Sequence, residues 1–282
     1  MNTDNSLLGA VVGSPISHSL SPAIYRAAFA SQSLAGAYKA LEADASNIAD
    51  VLSQLRQRGV RGLSVTMPLK EAIIPFLDVI DEDARLLNAV NCVDFNNGVA
   101  TGHNTDGDGC CDALEQQGGA LLSGAHAVVL GAGGTARSVA LALGRRGARV
   151  AIINRTTEKA EELVRTLAPA AQEAGGDIVI GSLDEISRAG VLVNTTSVGM
   201  NSDELPLPAN ILRRNIVVLD AVYSPMETAL LKAAKRAGDQ TVDGLWMLIQ
   251  QARRQCVHQF GWNPDAEPMR EAAERELAAR HK

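Results

Sequence analysis

Short apolar runs alternate with segments of helical periodicity along most of the chain. Glycine, proline or small polar residues bound the apolar runs, which is typical of strands, whereas the segments between them place apolar residues on one face, which is typical of helices. In the first part of the chain the pattern predicts strands at 7–12, 37–41, 62–66, 89–95 and 98–102, and helices at 22–32, 47–58 and 70–76. We therefore expect one α/β unit here.

The alternation continues after a predicted helix that begins at Asp106 and ends before Gly118. Strands are predicted at 127–130, 149–153, 177–180, 190–194, 216–221 and 241–242, and helices at 135–145, 158–167 and 227–237. Strands and helices in this alternation are typical of a doubly wound parallel sheet that is covered on both faces. Two further helices are predicted at 244–260 and 267–280. The predicted fold class is therefore α/β throughout.

A glycine-containing turn between the strand at 127–130 and the next helix indicates nucleotide binding. Gly131 can form the tight turn, Gly133 lets the backbone approach a pyrophosphate, and Ala136 lets helix and strand pack closely. The first N–H groups of the helix then face the phosphates. A plain strand-to-helix turn can use the same residues, so a purely structural turn stays open. The predicted cofactor-binding residues of this turn are Gly131, Ala132, Gly133, Gly134, Thr135 and Ala136.

The residues after the following strand decide which nucleotide is expected. An NAD site carries an acidic residue there, which binds the ribose 2′-hydroxyl. This strand is followed instead by Asn154, Arg155 and Thr156, with Lys159 one helical turn further on. A guanidinium and an ammonium group suit a 2′-phosphate, so the predicted cofactor is NADP (NADPH). The alternative is that Arg155 and Lys159 belong to a solvated helix face together with nearby glutamates.

Composition narrows the class of protein. The 282 residues, of which 46% are hydrophobic and 21% charged, can form two domains with ample core. A net charge of −6 and a pI near 5.4 argue against a nucleic-acid partner. Residues 1–6 are polar without a cationic region, and no apolar stretch could span a membrane, so we expect a cytoplasmic protein. No metal-ligand spacing occurs, and Cys110 and Cys111 are interpreted as reduced small hydrophobic residues.

Polar residues gather after the predicted strands of the first unit. Because ligands bind at the carboxyl ends of strands in open α/β sheets, these side chains could line one cleft. Each also has a structural interpretation: a serine before Pro22 or an aspartate at a helix start can be a cap, and a lysine is usually exposed. The candidate cleft residues are Ser19, Ser21, Thr66, Lys70, Asn91 and Asp106.

Together these segments resemble the shikimate 5-dehydrogenases of the shikimate/quinate dehydrogenase family. The motifs run in family order along nearly the whole chain. They are Gly13-Ser-Pro-Ile-Ser-His-Ser-Leu-Ser-Pro22, Val65-Thr-Met-Pro-Leu-Lys70, Ala89-Val-Asn91, Gly102-His-Asn-Thr-Asp-Gly107, Gly131-Ala-Gly-Gly-Thr-Ala136, Asn154-Arg-Thr156, Asn194-Thr-Thr-Ser-Val-Gly-Met200, Asp220-Ala-Val-Tyr-Ser-Pro225 and Gly244-Leu-Trp-Met-Leu-Ile-Gln-Gln251. The resemblance implies an NADP-dependent enzyme that interconverts 3-dehydroshikimate and shikimate in aromatic amino-acid (chorismate) biosynthesis.

The resemblance also implies a domain plan. A substrate-binding and catalytic domain is expected to comprise residues 1–105 and 243–282, because the C-terminal helices return to the first α/β unit. A Rossmann domain that binds NADP is expected at 106–242. A small-molecule substrate, no nucleic-acid or membrane partner, and a monomer or homodimer complete this expectation.

Residue roles are carried over from the matching motifs. Ser19 and Ser21 are implied to bind the substrate carboxylate, and Lys70 to lie beside the reacting oxygen. The implied partners of the substrate hydroxyls are Thr66, Asn91, Asp106 and Gln251, and Tyr223 is implied to lie near the substrate. Short polar side chains suit a small polyhydroxylated acid and reject analogues that lack its hydroxyls.

Further cofactor-binding residues follow from the same motifs. Val198, Gly199 and Met200 are implied to close over the nicotinamide end, where glycine permits close backbone approach. Met247 is equally typical of the core of an apolar helix, so its role stays open. The implied cofactor residues outside the glycine turn are Asn154, Arg155, Thr156, Lys159, Thr195, Val198, Met200, Val222, Gly244 and Met247.

The expected chemistry follows from charge. Reduction of a ketone places negative charge on oxygen, so a donor must neutralise that oxygen as hydride reaches carbon. Lys70 is the expected donor, and Asp106 would orient its ammonium group. Cys92 and Trp246 depart from the family pattern, and the bulk of Trp246 could reshape the pocket. A quinate or amino-shikimate dehydrogenase, or a catalytically silent NADP-binding sensor, therefore stays open as an alternative.

Overall fold

The structure is a computed structural model that describes residues 7–212 and 215–280. The polar segment 1–6, on which the expected location partly rests, lies outside the described residues. Contacts divide the chain into two compact units. The first contains the residues up to Thr105 together with those from Ala252 onward, and the second contains Asp106–Gln251. The chain returns to the first unit at Ala252, inside the helix Gly244–Phe260. The predicted domain plan places this boundary at 243.

The first unit is built around one mixed sheet. Its strands are β1 (Leu7–Gly13), β2 (Ala37–Glu42), β3 (Gly62–Val65), β4 (Val79–Ile80), β5 (Cys92–Asn96) and β6 (Val99–His103). Its helices before Thr105 are α1 (Ser21–Ser31), α2 (Ile48–Gln57), α3 (Leu69–Ala72) and α4 (Glu82–Leu87), with a 3₁₀ turn at Ile74–Phe76. The strand order is β2-β1-β3-β5-β6-β4, in which only β5 runs antiparallel to its neighbours β3 and β6 within the described residues.

The reversed direction of β5 determines what lies at one edge of this sheet. The carboxyl ends of β1, β3 and β6 and the beginning of β5 share this edge, because Cys92 pairs with both Ser64 and His103. We call it the carboxyl edge. The predicted strand at 89–95 begins three residues too early: Ala89 and Val90 are buried in a loop, and an apolar run alone does not distinguish a buried loop from a strand.

The second unit contains a fully parallel sheet. Its elements are α5 (Asp106–Gln116), β7 (His126–Leu130), α6 (Gly134–Arg145), β8 (Arg149–Ile153), α7 (Thr157–Glu173), β9 (Asp177–Ile180), β10 (Val191–Asn194), β11 (Val217–Asp220), α8 (Ala229–Ala237) and β12 (Gln240–Val242), with 3₁₀ turns at Leu183–Arg188 and Ala209–Ile211. The strand order is β9-β8-β7-β10-β11-β12, which is the 3-2-1-4-5-6 order of a Rossmann fold. The predicted doubly wound sheet is confirmed, and its switch point lies between β7 and β10.

The last two helices are α9 (Gly244–Phe260) and α10 (Ala266–Arg280). The end of α9 and all of α10 belong to the first unit. Aromatic rings show how this return is stabilised: Phe260 packs edge-to-face on two rings of α1, on Phe29 with ring centroids 5.2 Å apart and on Tyr25 at 6.3 Å. Such pairs add about 0.5–1.5 kcal/mol each beyond their buried area. The predicted return of the C-terminal helices is confirmed.

Two sequence predictions of helices were incomplete. α7 continues to Glu173, beyond the predicted end at 167, because alanines on both sides of Pro169 sustain the helix and Ala171 is buried. α4 was missed, although Asp81 caps it by accepting a hydrogen bond from the N–H of Ala84 at 2.7 Å.

None of the helices that the structure describes is long and apolar enough to cross a membrane. All four cysteines are free and buried, which for Cys110 and Cys111 agrees with their interpretation as reduced small hydrophobic residues.

Candidate active site

Thr66 and Lys70 both lie at the carboxyl edge. Thr66 directly follows β3, and its backbone N–H donates to the carbonyl of Val12 at 2.9 Å. Lys70 lies on α3, where its backbone carbonyl accepts from the N–H of Val90 at 2.8 Å. Both side chains are half-buried. The interpretation of Lys70 as an ordinary exposed lysine is therefore not supported.

Asn91 lies at the same edge, immediately before β5. The expectation that it follows a strand was wrong, but the antiparallel direction of β5 brings it to the carboxyl edge all the same. Its side chain is 2% exposed and bonds to Thr105: the amide Nδ2 donates to Thr105 Oγ1 at 3.1 Å, and Oδ1 accepts from the N–H of Thr105 at 2.8 Å. The Asn91 carboxamide is therefore held in one orientation by the chain that leads to Asp106.

Gln255 is a residue that the sequence did not suggest. It is buried on the part of α9 that belongs to the first unit, and its Nε2 donates to the carbonyl of Asn91 at 3.1 Å. Its Oε1 accepts from the hydroxyls of Tyr25 at 2.8 Å and Ser64 at 2.5 Å. No short-range pattern could predict this set, because its members come from distant parts of the chain.

The loop that carries the two candidate serines precedes α1. Ser19 Oγ accepts a hydrogen bond from the N–H of Ser21 at 3.3 Å, and Ser21 is the first residue of the helix. The interpretation of Ser21 as the N-cap was wrong, because Leu20 occupies that position and Ser19 supplies the nearby acceptor. Arg280 of α10 donates to the carbonyls of His18 at 2.8 Å and Ser19 at 3.2 Å. The C-terminal helix thus holds this loop.

His103 forms a charged cluster with Asp81 and Asp94 at the carboxyl end of β6. It ends β6, and its ring lies between Asp81 (Nδ1, 2.7 Å) and Asp94 (Nε2, 2.8 Å), stacked on His258 at 4.0 Å. Burial lowers the pKa of His103, but the hydrogen bonds and charges of the two carboxylates outweigh burial and raise this pKa to about 9. The imidazole is therefore protonated at neutral pH.

In the second unit, the glycine turn lies between β7 and α6 at the switch point. Gly131 has φ +114°, and a Cβ there would lie 2.7 Å from Thr195 Oγ1, so both conformation and space require glycine. Gly133 differs, because its φ of −82° suits any residue, and a Cβ at Gly133 or Gly134 would meet no protein atom within 4 Å. Neither strain nor packing within the protein explains these two glycines. Ala136 is fully buried, as close packing of α6 requires.

The residues predicted to bind a 2′-phosphate follow β8. Asn154 donates from Nδ2 to the carbonyl of Thr156 at 2.8 Å and so shapes the turn into α7. Thr156 is the N-cap of α7, but its hydroxyl makes no capping hydrogen bond. Arg155 and Lys159 are exposed, and neither forms an ion pair within 7–212 and 215–280. The exposure of both side chains fits a 2′-phosphate site and also fits the alternative of a solvated helix face, which therefore stays open.

The remaining predicted residues of the second unit follow β10, β11 or β12 in the chain, except Asp106, which precedes the sheet. Thr195 follows β10 and donates from Oγ1 to the carbonyl of Leu130 at 2.6 Å. Val222 and Met247 are buried, so the interpretation of Met247 as a core residue stays possible. Met200 is exposed, and the half-buried residues of this group are Asp106, Val198, Tyr223 and Gln251. Asp106 is the first residue of α5, and Gly244 is the first residue of α9.

Comparisons with known proteins agree with these features. Residues 11–93 match the model of the shikimate dehydrogenase substrate binding domain, and residues 113–197 match the shikimate/quinate 5-dehydrogenase model. The NADP(+) shikimate dehydrogenase of Thermococcus kodakarensis is 41% identical over 264 residues, which cover 93% of this chain and 94% of that protein. The chain belongs to the shikimate dehydrogenase family.

Solved shikimate dehydrogenase structures share the whole fold. A shikimate dehydrogenase in complex with NADP+ superimposes with a TM-score of 0.89 at 34% identity and covers 98% of both chains. The Thermus thermophilus enzyme in complex with NADP(H) and shikimate has a TM-score of 0.84 at 38% identity and covers 96% of this chain and 100% of that chain. Family membership therefore extends over both units.

Proposed function

We propose that the protein catalyses the NADP-dependent, reversible reduction of 3-dehydroshikimate to shikimate in aromatic amino-acid biosynthesis. The observation that carries the proposal is the placement of Lys70, Thr66 and Asn91 together at the carboxyl edge, half-buried or buried, in a chain of this family. A second unit with Rossmann strand order supports the dinucleotide. Shikimate dehydrogenases that are about 40% identical over nearly their whole length carry NADP(+) in their names.

The glycine turn fits the pyrophosphate of NADP. Space for a Cβ exists at Gly133 and Gly134 in the protein itself, so glycine there is best explained by a ligand that approaches the backbone. The N-cap of α6 is Gly133, which has no side chain to occupy the first N–H groups of the helix. These N–H groups and the dipole of α6 favour a negatively charged phosphate. The assigned residues are Gly131, Ala132, Gly133, Gly134, Thr135 and Ala136.

The turn after β8 fits the 2′-phosphate. Arg155 can bind the phosphate with two parallel hydrogen bonds, Lys159 adds a second positive charge, and the uncommitted hydroxyl of Thr156 can donate. No carboxylate lies where NAD would require one. We assign Asn154, Arg155, Thr156 and Lys159 to the adenosine end, and Thr195, Val198, Met200, Val222, Gly244 and Met247 to the nicotinamide end.

The substrate residues have roles that match their chemistry. Ser19 and Ser21 donate to the carboxylate, and the hydroxyls of the substrate are bound by Thr66, Asn91, Asp106 and Gln251, with Tyr223 beside them. The Asn91 carboxamide is suited to this role because Thr105 fixes which end of the amide is oxygen and which is nitrogen. A fixed polar set of this kind discriminates strongly against substrates that lack a matching hydroxyl.

Lys70 and Asp106 are the proposed catalytic residues. NADPH supplies the hydride that reduces the carbonyl carbon. The Lys70 ammonium donates a proton to the carbonyl oxygen, which would otherwise become an alkoxide, and the same amine accepts this proton in the reverse direction. Asp106 accepts a hydrogen bond from a substrate hydroxyl and so orients the substrate. Hydride and proton together account for the two atoms that are added to the ketone.

Activity with matched substrates and cofactors tests the proposal. Purified protein is assayed with shikimate or quinate and with NADP or NAD, and formation of the reduced nicotinamide is followed by absorbance. Shikimate with NADP is expected to give the highest kcat/KM. Faster turnover of quinate would identify the alternative substrate of the family, and binding of shikimate and NADP without turnover would identify the sensor.

The location and the assembly are separate proposals. We expect a cytoplasmic protein that acts on a small molecule as a monomer or homodimer. The acidic net charge supports the absence of a nucleic-acid partner. Light scattering after size-exclusion chromatography measures the mass of the assembly, and cell fractionation measures the location.

A further inference from the structure

Asp220 is a buried carboxylate for which the proposed reaction has no direct use. It is the last residue of β11 and is fully buried. Three donors from three segments converge on it: Asn194 Nδ2 at 2.9 Å and the N–H of Val222 at 3.1 Å on Oδ1, and Thr228 Oγ1 at 2.7 Å on Oδ2. Burial raises the pKa of Asp220, and these hydrogen bonds oppose that rise.

Asn194 extends this contact into the loop that follows β10. Its Oδ1 accepts from the N–H of Thr196 at 3.1 Å and from Thr196 Oγ1 at 2.8 Å. Its Nδ2 also reaches the carbonyl of Val198 at 3.3 Å, and Thr196 Oγ1 accepts from the N–H of Val198 at 3.2 Å. The start of the 195–200 loop is therefore shaped by side-chain hydrogen bonds that lead back to Asp220.

Helix capping does not explain the arrangement. Thr228 is the N-cap of α8 and performs that role with its own hydroxyl, which accepts from the N–H of Leu231 at 3.3 Å. Asp220 Oδ2 only accepts a hydrogen bond from this hydroxyl. Its other oxygen binds Asn194 and Val222, which precede or belong to the segments assigned to the nicotinamide end. Burying a carboxylate costs free energy unless its hydrogen bonds are made, so the donors that surround Asp220 are held firmly in place. Removing the carboxylate would leave Asn194 and Val222 without this common acceptor.

We propose that Asp220 is a positioning residue that acts through Asn194 and Val222 to hold the 195–200 loop and the 221–223 segment in the conformation that binds the nicotinamide half of the cofactor. The inference rests on the proposed NADP-binding function. The adenosine half is bound by the turn after β8, on the other side of the switch point, and none of the hydrogen bonds of Asp220 reaches that turn. Disturbing Asp220 therefore weakens one half of the binding site selectively.

Two ligands separate this role from a general loss of folding. Calorimetry measures the Kd of NADPH and of adenosine 2′,5′-bisphosphate, which contains the adenosine half but no nicotinamide. In Asp220→Leu, the ratio of the NADPH Kd to the bisphosphate Kd should rise at least about tenfold, because several buried hydrogen bonds are lost. Asp220→Asn keeps an oxygen for Asn194 and Val222 and should raise the ratio much less.

Two further variants make the test specific. Asn194→Ser removes the link to the loop but leaves Asp220 bonded to Val222 and Thr228, and it should raise the ratio as well. Thr228→Val removes the bond to Oδ2 and the cap of α8 but leaves Asn194 and Val222 bonded to Oδ1, so it should lower Tm while leaving the ratio unchanged. If the ratio of the two Kd values stays unchanged in both Asp220→Leu and Asn194→Ser, whether or not binding of both ligands weakens, the proposal is overturned. Binding is measured without turnover, so a protein that binds NADPH but does not oxidise shikimate would contradict the proposed reaction and not this inference.

Discussion

A Cβ on Gly131 would lie 2.7 Å from Oγ1 of Thr195, the residue that follows the neighbouring strand β10. Gly131 also has φ +114°, a conformation that other residues adopt at a cost of about 1–3 kcal/mol. Thr195 cannot easily move, because its hydroxyl donates to the carbonyl of Leu130 at 2.6 Å. The turn after β7 and the loop after β10 are therefore fitted to each other at the switch point of the sheet.

This fit predicts different results for two neighbouring glycines. Gly131→Ala should lower both Tm and NADP affinity, because the new methyl group strains the backbone and clashes with the fixed hydroxyl of Thr195. Gly133→Ala should leave Tm nearly unchanged but weaken NADP, because its Cβ meets no protein atom and lies where the backbone must approach the pyrophosphate. Thermal denaturation and calorimetric titration measure the two effects. Equal Tm and equal affinity in both variants would contradict the assignment of the turn.

Arg155 should determine the preference for NADP over NAD. Arg155→Ala should weaken NADP by roughly ten- to over a hundredfold, since charge-assisted hydrogen bonds of about 1.5–3 kcal/mol are lost, and should change NAD affinity far less. Arg165→Ala is a control of matched chemistry, because it removes an exposed arginine from α7, the helix that follows the turn of Arg155. Titration with both cofactors gives the comparison. Equal losses for NADP and NAD in Arg155→Ala would be incompatible with a 2′-phosphate contact.

Lys70 should affect turnover more than substrate affinity. Lys70→Ala removes the proposed proton donor while the carboxylate and cofactor residues stay in place, so kcat should fall by about 10²–10⁴-fold with a small change in the Kd of shikimate. Asp106→Asn should raise KM as well as lower kcat, because it weakens a bond to a substrate hydroxyl. Steady-state kinetics and shikimate titration measure these quantities. A raised KM with unchanged kcat in Lys70→Ala would make Lys70 a binding residue.

The raised pKa of His103 predicts how stability depends on pH. The folded protein binds this proton up to about pH 9, whereas an unfolded histidine releases it near 6.5. The contribution of His103 to the free energy of unfolding is therefore complete below about pH 6.5 and is lost as pH rises towards 9. Tm of the unaltered protein and of His103→Gln should differ most at pH 6 and converge near pH 10. His18→Gln, at an exposed site, serves as control. A Tm difference that grows with pH would reverse the predicted sign.

Local sequence determined the cofactor-binding part of this protein. The glycine turn, the small Ala136 and the basic residues after β8 lie within about thirty residues, and each acts through its own backbone conformation, size or charge. Strand order in the second unit follows from the alternation of strands and helices, because right-handed parallel connections allow few arrangements. The resemblance to the family added the substrate residues, which periodicity alone does not assign.

Tertiary structure decided what surrounds the substrate residues. The sequence placed Asn91 at the end of a strand, whereas it lies before β5, and only the antiparallel pairing of β5 brings it to the carboxyl edge. Gln255, 164 positions further along the chain, then holds the Asn91 carbonyl, and Asp220 holds Asn194 across 26 positions. Hydrogen bonds of this kind depend on which buried donor meets which buried acceptor once the chain has folded. Periodicity and local propensity contain no information about such pairs, because they describe only neighbours along the chain.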